Sequence, residues 1–234
     1  MAVMIVLTFA PGKWIGSSIW WQSWVWHGVG VVVADWLAGG PHVNTSVSFC
    51  MLALGELAYP AFLCRAAAQL AAGLATFPLC RALSGTLGLT PLSGPAFDPA
   101  KASLTEAATH EALATFLLCA GVLLLNMELP VRKIYLVKQS LTAGVVRAML
   151  WAFPAAGPAM NPPLATTWAT FAASEKAPWA YAFPPSLEHY AVYWAASFAG
   201  ALAAAAAYAL WARRPLFGAQ LPWTAKGKKK KRRA

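Results

Sequence analysis

The chain has 234 residues, 59% of them hydrophobic and 11% charged, with a mean hydropathy of +0.54. A soluble domain carries about a quarter charged residues, so a soluble class is excluded and an all-α polytopic membrane protein is implied. The formal net charge of +10 does not indicate a nucleic-acid partner, because seven basic residues are gathered in one tail, Lys226 to Arg233.

A membrane-spanning helix needs about 20 mostly apolar residues. Residues 1–10, MAVMIVLTFA, are apolar but too short to span, and Pro11, Gly12 and Lys13 end the run. No basic segment precedes it and no small-residue cleavage site follows, so it reads as the stub of a span rather than a signal peptide. The first full span is Ile15 to Ala38, Trp-rich at its start and closed by Gly39 and Gly40. Asn44 to Leu54 is apolar but long enough only for a half-span. The second span, Tyr59 to Leu83, contains Arg65 and Gln69, which are costly in lipid and are expected to face protein.

A Gly- and Pro-rich loop, 84–101, leads to the third span, Leu104 to Met127, and a basic connector, Glu128 to Lys133, leads to the fourth, Ile134 to Phe153. A second half-span, Asn161 to Phe171, and a loop at 172–187 precede the last span, Glu188 to Trp211. Ala196, Gly200 and Ala204 give that span a small-residue face suited to close helix packing. The connector with Arg132 and Lys133 and the Lys-rich tail fall on one side, which the positive-inside rule makes cytosolic. The expected organisation is one transmembrane unit, 1–225, with a first repeat at 1–83, a second at 104–212, and a basic cytosolic tail at 226–234.

One pattern occurs twice. Gly40-Pro41-His42-Val43-Asn44-Thr45-Ser46-Val47 and Gly157-Pro158-Ala159-Met160-Asn161-Pro162-Pro163-Leu164 both read Gly-Pro-x-apolar-Asn-x-x-apolar. Each opens a half-span, and the two asparagines lie 117 positions apart. An Asn-Pro pair alone is an ordinary turn starter. A matched pair in two halves of a hydrophobic chain predicts two half-helices meeting at mid-membrane. A half-helix N-terminus carries unpaired N–H groups and partial positive charge. Asn there caps the helix with its oxygen and keeps an NH₂ to donate into a cavity. Converging positive dipoles disfavour cations, so the arrangement suits a neutral, hydrogen-bonding solute.

Other motifs carry less. Cys50, Cys64, Cys80 and Cys119 lie in apolar surroundings without metal spacing and read as small core residues. His110-Glu111 begins like a zinc-protease helix, but Ala114 stands where the second His would be. Glu106 and Glu111 do not share a helix face. No complete catalytic set is present, so no enzyme, cofactor or metal is expected. Asn44-Thr45-Ser46 matches a glycosylation sequon, but at mid-membrane it would be out of reach. Asp35 and His42 flank the first box, where they line a vestibule or pair internally.

From about residue 18 onward the chain resembles the aquaporins (major intrinsic proteins). The second box, the third-helix segment AYPAFLCRAAAQLAAG at 58–73, the opening Glu111-Ala-Leu-Ala-Thr-Phe and the segment YAVYWAASFAG at 190–200 resemble that family in order and spacing. The resemblance implies an inverted-repeat helical bundle with two re-entrant half-helices, a homotetramer, and passive passage of water or another small neutral solute such as glycerol or hydrogen peroxide. It makes Asn44 and Asn161 the pore asparagines, with box residues Thr45, Ser46, Pro162 and Pro163. It makes Glu111 the acceptor that supports a half-helix loop, and it places a selectivity filter at Trp24, Met149 and Leu164. Orthodox members carry Arg where Leu164 stands, so the expected filter is apolar and lacks a fixed cation.

Neither box is Asn-Pro-Ala, and only 43 residues precede the first, so the first transmembrane helix is abbreviated or missing. The degenerate boxes and the basic tail are similar to the unorthodox branches, the small basic intrinsic proteins and the superaquaporins. That similarity implies an intracellular membrane, with the endoplasmic reticulum first and the plasma membrane or vacuole as alternatives. A non-conducting structural or regulatory subunit is the alternative function.

Overall fold

The computed structural model describes residues 1–9, 20–40, 42–82, 95, 97–173 and 183–221. The start of the first full span, most of the loops at 84–101 and 172–187, and the basic tail at 226–234 lie outside them. The described chain is helical, and its one β-type feature among the described residues is an isolated bridge between Leu216 and Ala219.

The helices are α1 (Ala2–Phe9), α2 (Trp20–Ala38), α3 (Thr45–Ala53), α4 (Tyr59–Ala82), α5 (Leu104–Leu123), α6 (Tyr135–Ala152), α7 (Pro162–Ala173) and α8 (Leu187–Ala212). A π-helical turn, Leu124–Glu128, extends α5, and α8 contains another at Ala191–Ala196. Local chemistry sets several ends. Asn44 and Ser103 cap α3 and α5 by accepting first-turn N–H groups. Gly39 and Gly40, both at positive φ, end α2.

Among the described residues, three helical segments are long and apolar enough to cross a membrane: Tyr59–Leu79, Leu104–Glu128 and Leu187–Ala212. The expected fourth span forms as α6, but Lys138, Gln139 and Arg147 dilute its apolar character. The reason is position, since Lys138, Gln139 and Arg147 all line cavities.

The two half-helices α3 and α7 have 9 and 12 residues. At 1.5 Å per residue they measure about 14 and 18 Å, so end to end they match a hydrocarbon core of about 30 Å. They belong to the two halves of an inverted repeat and point their N-termini at each other. The largest core cluster joins α3, α5 and α8 through Cys50, Met51, Leu118, Leu123, Ala201 and Ala205. Ala196, Gly200 and Ala204 are buried along the α8 face expected from their spacing. A Cβ at Gly200 would meet the backbone carbonyl of Ala112, so α5 and α8 touch backbone to backbone there. At Gly73 a Cβ would meet the Thr167 side chain, which sets the approach of α4 to α7.

The first described helix is α1, Ala2–Phe9. It lies against α2 and α4, and its Ile5 is 1% exposed in a cluster with Phe77 and Phe171. After α8 the chain turns at 213–221 and returns to α3. Phe217 N–H donates to the Ala53 carbonyl at 2.7 Å, and Arg214 pairs with Glu56. The Phe217 ring joins Phe49, which also meets Phe62 and Phe198.

Candidate pore

The asparagines meet where the half-helices meet. Asn44 Nδ2 donates to the Met160 carbonyl at 2.9 Å, and Asn161 Nδ2 donates to the Val43 carbonyl at 3.0 Å. The exchange is reciprocal across 116 and 118 residues of sequence. Asn44 Oδ1 accepts from Ser46 and Val47 N–H at 2.8 and 3.2 Å, the expected cap. Asn161 departs from that expectation. Its Oδ1 accepts from Thr45 N–H of the other half-helix at 3.2 Å. The cause is Pro162-Pro163, because the first two positions of α7 have no N–H to offer and the oxygen turns to the opposing terminus. Each side-chain amide has two N–H groups, so one remains on each Asn after the cross-bond, and both residues line a cavity.

The connecting loops are held from behind. Glu111, fully buried, accepts from Ala159 N–H at 2.9 Å, from Met160 N–H at 2.7 Å and from the Ser197 hydroxyl. Met160 has φ +52, a region unfavourable for a side chain with Cβ. That conformation turns its N–H to Glu111 and its carbonyl to Asn44. The first repeat has no such carboxyl among the described residues. Buried Gln69 does comparable work, accepting from Thr45 Oγ1 at 3.0 Å and donating to the His42 carbonyl at 3.1 Å.

Two cavities flank this junction. One, about 280 Å³, opens toward the basic connector and is lined by Asn44, Asn161, Asp35, His42 and Gln139, among others. Here Asp35 accepts from Tyr135 OH at 2.7 Å and from Gln139, while Arg65 donates to His42 Nδ1 at 3.2 Å. Both expected vestibule residues therefore line the cavity and are also paired. The second cavity, about 310 Å³, lies toward Pro95, Gly157 and Trp168. Met4, His27, Val146, Ala159, Met160 and Leu164 line both and form the waist between them.

The structure separates the three expected filter residues. Leu164 is at the waist. Trp24 and Met149 line neither cavity. Trp24 lies along a groove between α2 and α6, and Met149 packs on the main core. The physical reason is helical phase. At 100° per residue, moving from Met149 to Val146 or Leu150 changes the face presented, and the link through Pro154–Ala156 sets which face meets the waist. On α2 the wall residue is His27, one turn beyond Trp24. His27 and Arg147 escaped the motif-based reading. The signal that finds them is simpler: an ionisable side chain inside an apolar span points to protein or a wet cavity.

No protein-family model matches the chain, and no curated protein matches it. Among solved structures it is similar to the X-ray structure of the aquaglyceroporin from Plasmodium falciparum. The TM-score is 0.66 at 16% identity, covering 88% of this chain and 91% of that one. The likeness establishes the fold, an aquaporin-like inverted-repeat bundle with two opposed half-helices, and the long apolar helices make this an integral membrane protein.

Proposed function

We propose that the protein is a passive channel for water or another small neutral solute, with glycerol and hydrogen peroxide as candidates. The observation that carries this reading is the paired asparagine junction with a cavity on either side. Two positive helix ends converge there, and each Asn keeps one N–H for a passing oxygen. A solute with acceptor oxygens exchanges its water contacts for these donors, while a cation meets only repulsion. Leu164 at the waist and Glu111 behind the loop complete the working set, with Thr45, Ser46, Pro162 and Pro163 shaping the two helix starts. Residues 1–225 act as one channel unit, assembled as a homotetramer in an intracellular membrane such as the endoplasmic reticulum.

The test is osmotic shrinkage of proteoliposomes followed by stopped-flow light scattering, with wild type beside Asn161→Asp. The substitution removes both amide donors and sets a carboxylate against the Val43 carbonyl. The wild type is expected to shrink the vesicles quickly, and the variant to lose at least about tenfold of that rate, the equivalent of about 1.4 kcal/mol. Wild-type shrinkage equal to that of empty vesicles for water, glycerol and peroxide, with inserted folded protein, would refute the channel reading and favour a non-conducting subunit.

A further inference from the structure

We infer that the basic tail docks on anionic phospholipid headgroups of the leaflet beside the basic connector, and that the strap at 213–221 passes this docking to the half-helix α3. The docking needs no channel, whereas its effect on flux rests on the channel reading.

The strap is built onto the end of α3. The last carbonyls of a helix lack intrahelical donors, and Phe217 N–H supplies one to Ala53, the final residue of α3, at 2.7 Å. The Phe217 ring meets Phe49 one turn earlier. Leu216 and Leu221 pack on the core cluster that contains Val47 and Cys50 of the same half-helix. Arg214 pairs with Glu56, just beyond α3, and donates to Met127 Sδ at 3.9 Å in the π-helical turn after α5. Arg213 and Phe217 both lie at positive φ, +54 and +48, a conformation costly for residues with a Cβ. It persists only where surrounding contacts over-determine it, so the strap is held by what it touches. Because α3 is a short rod of 9 residues, a displacement at Ala53 reaches Asn44 at its other end.

Charge and aromatic placement identify the partner. Arg132, Lys133 and Arg213 are exposed at this end of the bundle. The acids described there are engaged: Glu56 with Arg214, Glu128 with Tyr208 OH, and Asp35 with Tyr135 and Gln139. Trp211, 63% exposed at the end of α8, marks the headgroup level that indoles prefer. In the sequence a second indole, Trp223, stands between the strap and Lys226. Lys226 is five residues beyond Leu221, a reach of at most about 17 Å. The tail from Lys226 to Arg233 carries seven basic residues and no acid. Each basic residue near an anionic leaflet favours partitioning by about fivefold, and salt screens the effect. The strap already lies at headgroup level, so docking the tail fixes it in place and stabilises the seated α3.

The experiment uses full-length protein in nanodiscs, open on both faces, of phosphatidylcholine alone or with about one-third phosphatidylserine. A neutral acylating reagent, read by mass spectrometry, reports the exposure of the tail lysines, with exposed Lys101 as internal reference. With phosphatidylserine, tail labelling is expected to slow by about fivefold or more and to recover in about 0.5 M salt. The thermal midpoint is expected to rise by several degrees, and water flux in vesicles of the same lipids by about twofold or more. Changing the seven basic tail residues to Gln should abolish the gains in midpoint and flux. Arg214→Gln with Phe217→Ala, and separately Glu56→Gln, should keep the tail protected and lose both gains. Equal labelling in the two lipids overturns the docking, and equal protection by inorganic phosphate in phosphatidylcholine discs overturns a lipid surface as the partner. A protected tail with unchanged midpoint and flux overturns the role of the strap, as does a Gln tail that gains as much as wild type. Wild type that passes no water in either lipid refutes the channel reading, while labelling and midpoint still decide the docking and the strap.

Discussion

Glu111→Gln isolates the loop that sets the second asparagine. Three donors converge on the Glu111 carboxyl: the N–H groups of Ala159 and Met160 and the hydroxyl of Ser197. Glutamine retains one acceptor oxygen and must turn its NH₂ toward one of them. If Oε1 stays with Met160 and Ser197, the Ala159 N–H faces another donor in a fully buried place. Losing that bond and leaving a buried N–H unsatisfied costs about 1–3 kcal/mol. The remaining bonds lose charge assistance, worth about 1 kcal/mol more. Against this, release of Met160 from φ +52 recovers about 1 kcal/mol. The net is about 1–3 kcal/mol, or a shift of the loop by about fivefold to about 150-fold away from the conformation that offers the Met160 carbonyl to Asn44. Osmotic shrinkage rates should fall by at least about fivefold. The thermal unfolding midpoint in detergent, followed by the fluorescence of the twelve tryptophans, should drop by several degrees. A variant with wild-type flux and midpoint would show that the three bonds do not hold the loop.

Two packing predictions use the same unfolding assay. Gly200→Val should destabilise the fold by about 3 kcal/mol or prevent insertion, because the added Cβ meets the Ala112 backbone, which has no rotamer to yield. Gly73→Ala should cost less, about 1–2 kcal/mol, because its Cβ meets the Thr167 side chain, which can rotate at the expense of its 2.8 Å bond to the Pro163 carbonyl. Equal midpoints for the two variants would contradict the distinction between backbone and side-chain contact.

The sequence by itself determined the helices and their order. Apolar runs, the Gly39-Gly40 stop, the short half-spans and the duplicated Gly-Pro-x-apolar-Asn pattern are local signals, and where the ends lie among the described residues the elements formed within a few residues of them. The duplicated pattern also singled out Asn44 and Asn161, and the resemblance to the aquaporins singled out Glu111. The partners of those groups were decided only by tertiary structure. That Asn161 caps the opposite half-helix follows from two prolines meeting the Thr45 N–H 116 residues away. That Gln69 holds the first loop while Glu111 holds the second depends on which helix lies behind each. The waist is the clearest case. Counting from the asparagines pointed to Trp24 and Met149, but a side chain's direction on a helix turns by 100° per residue. A short shift in the links at 39–44 and 153–160 therefore exchanges the wall residues for others. Local pattern sets where helices begin and end, whereas helix rotation is set by the packing of every neighbour at once, and His27 and Arg147 reach the cavity through it.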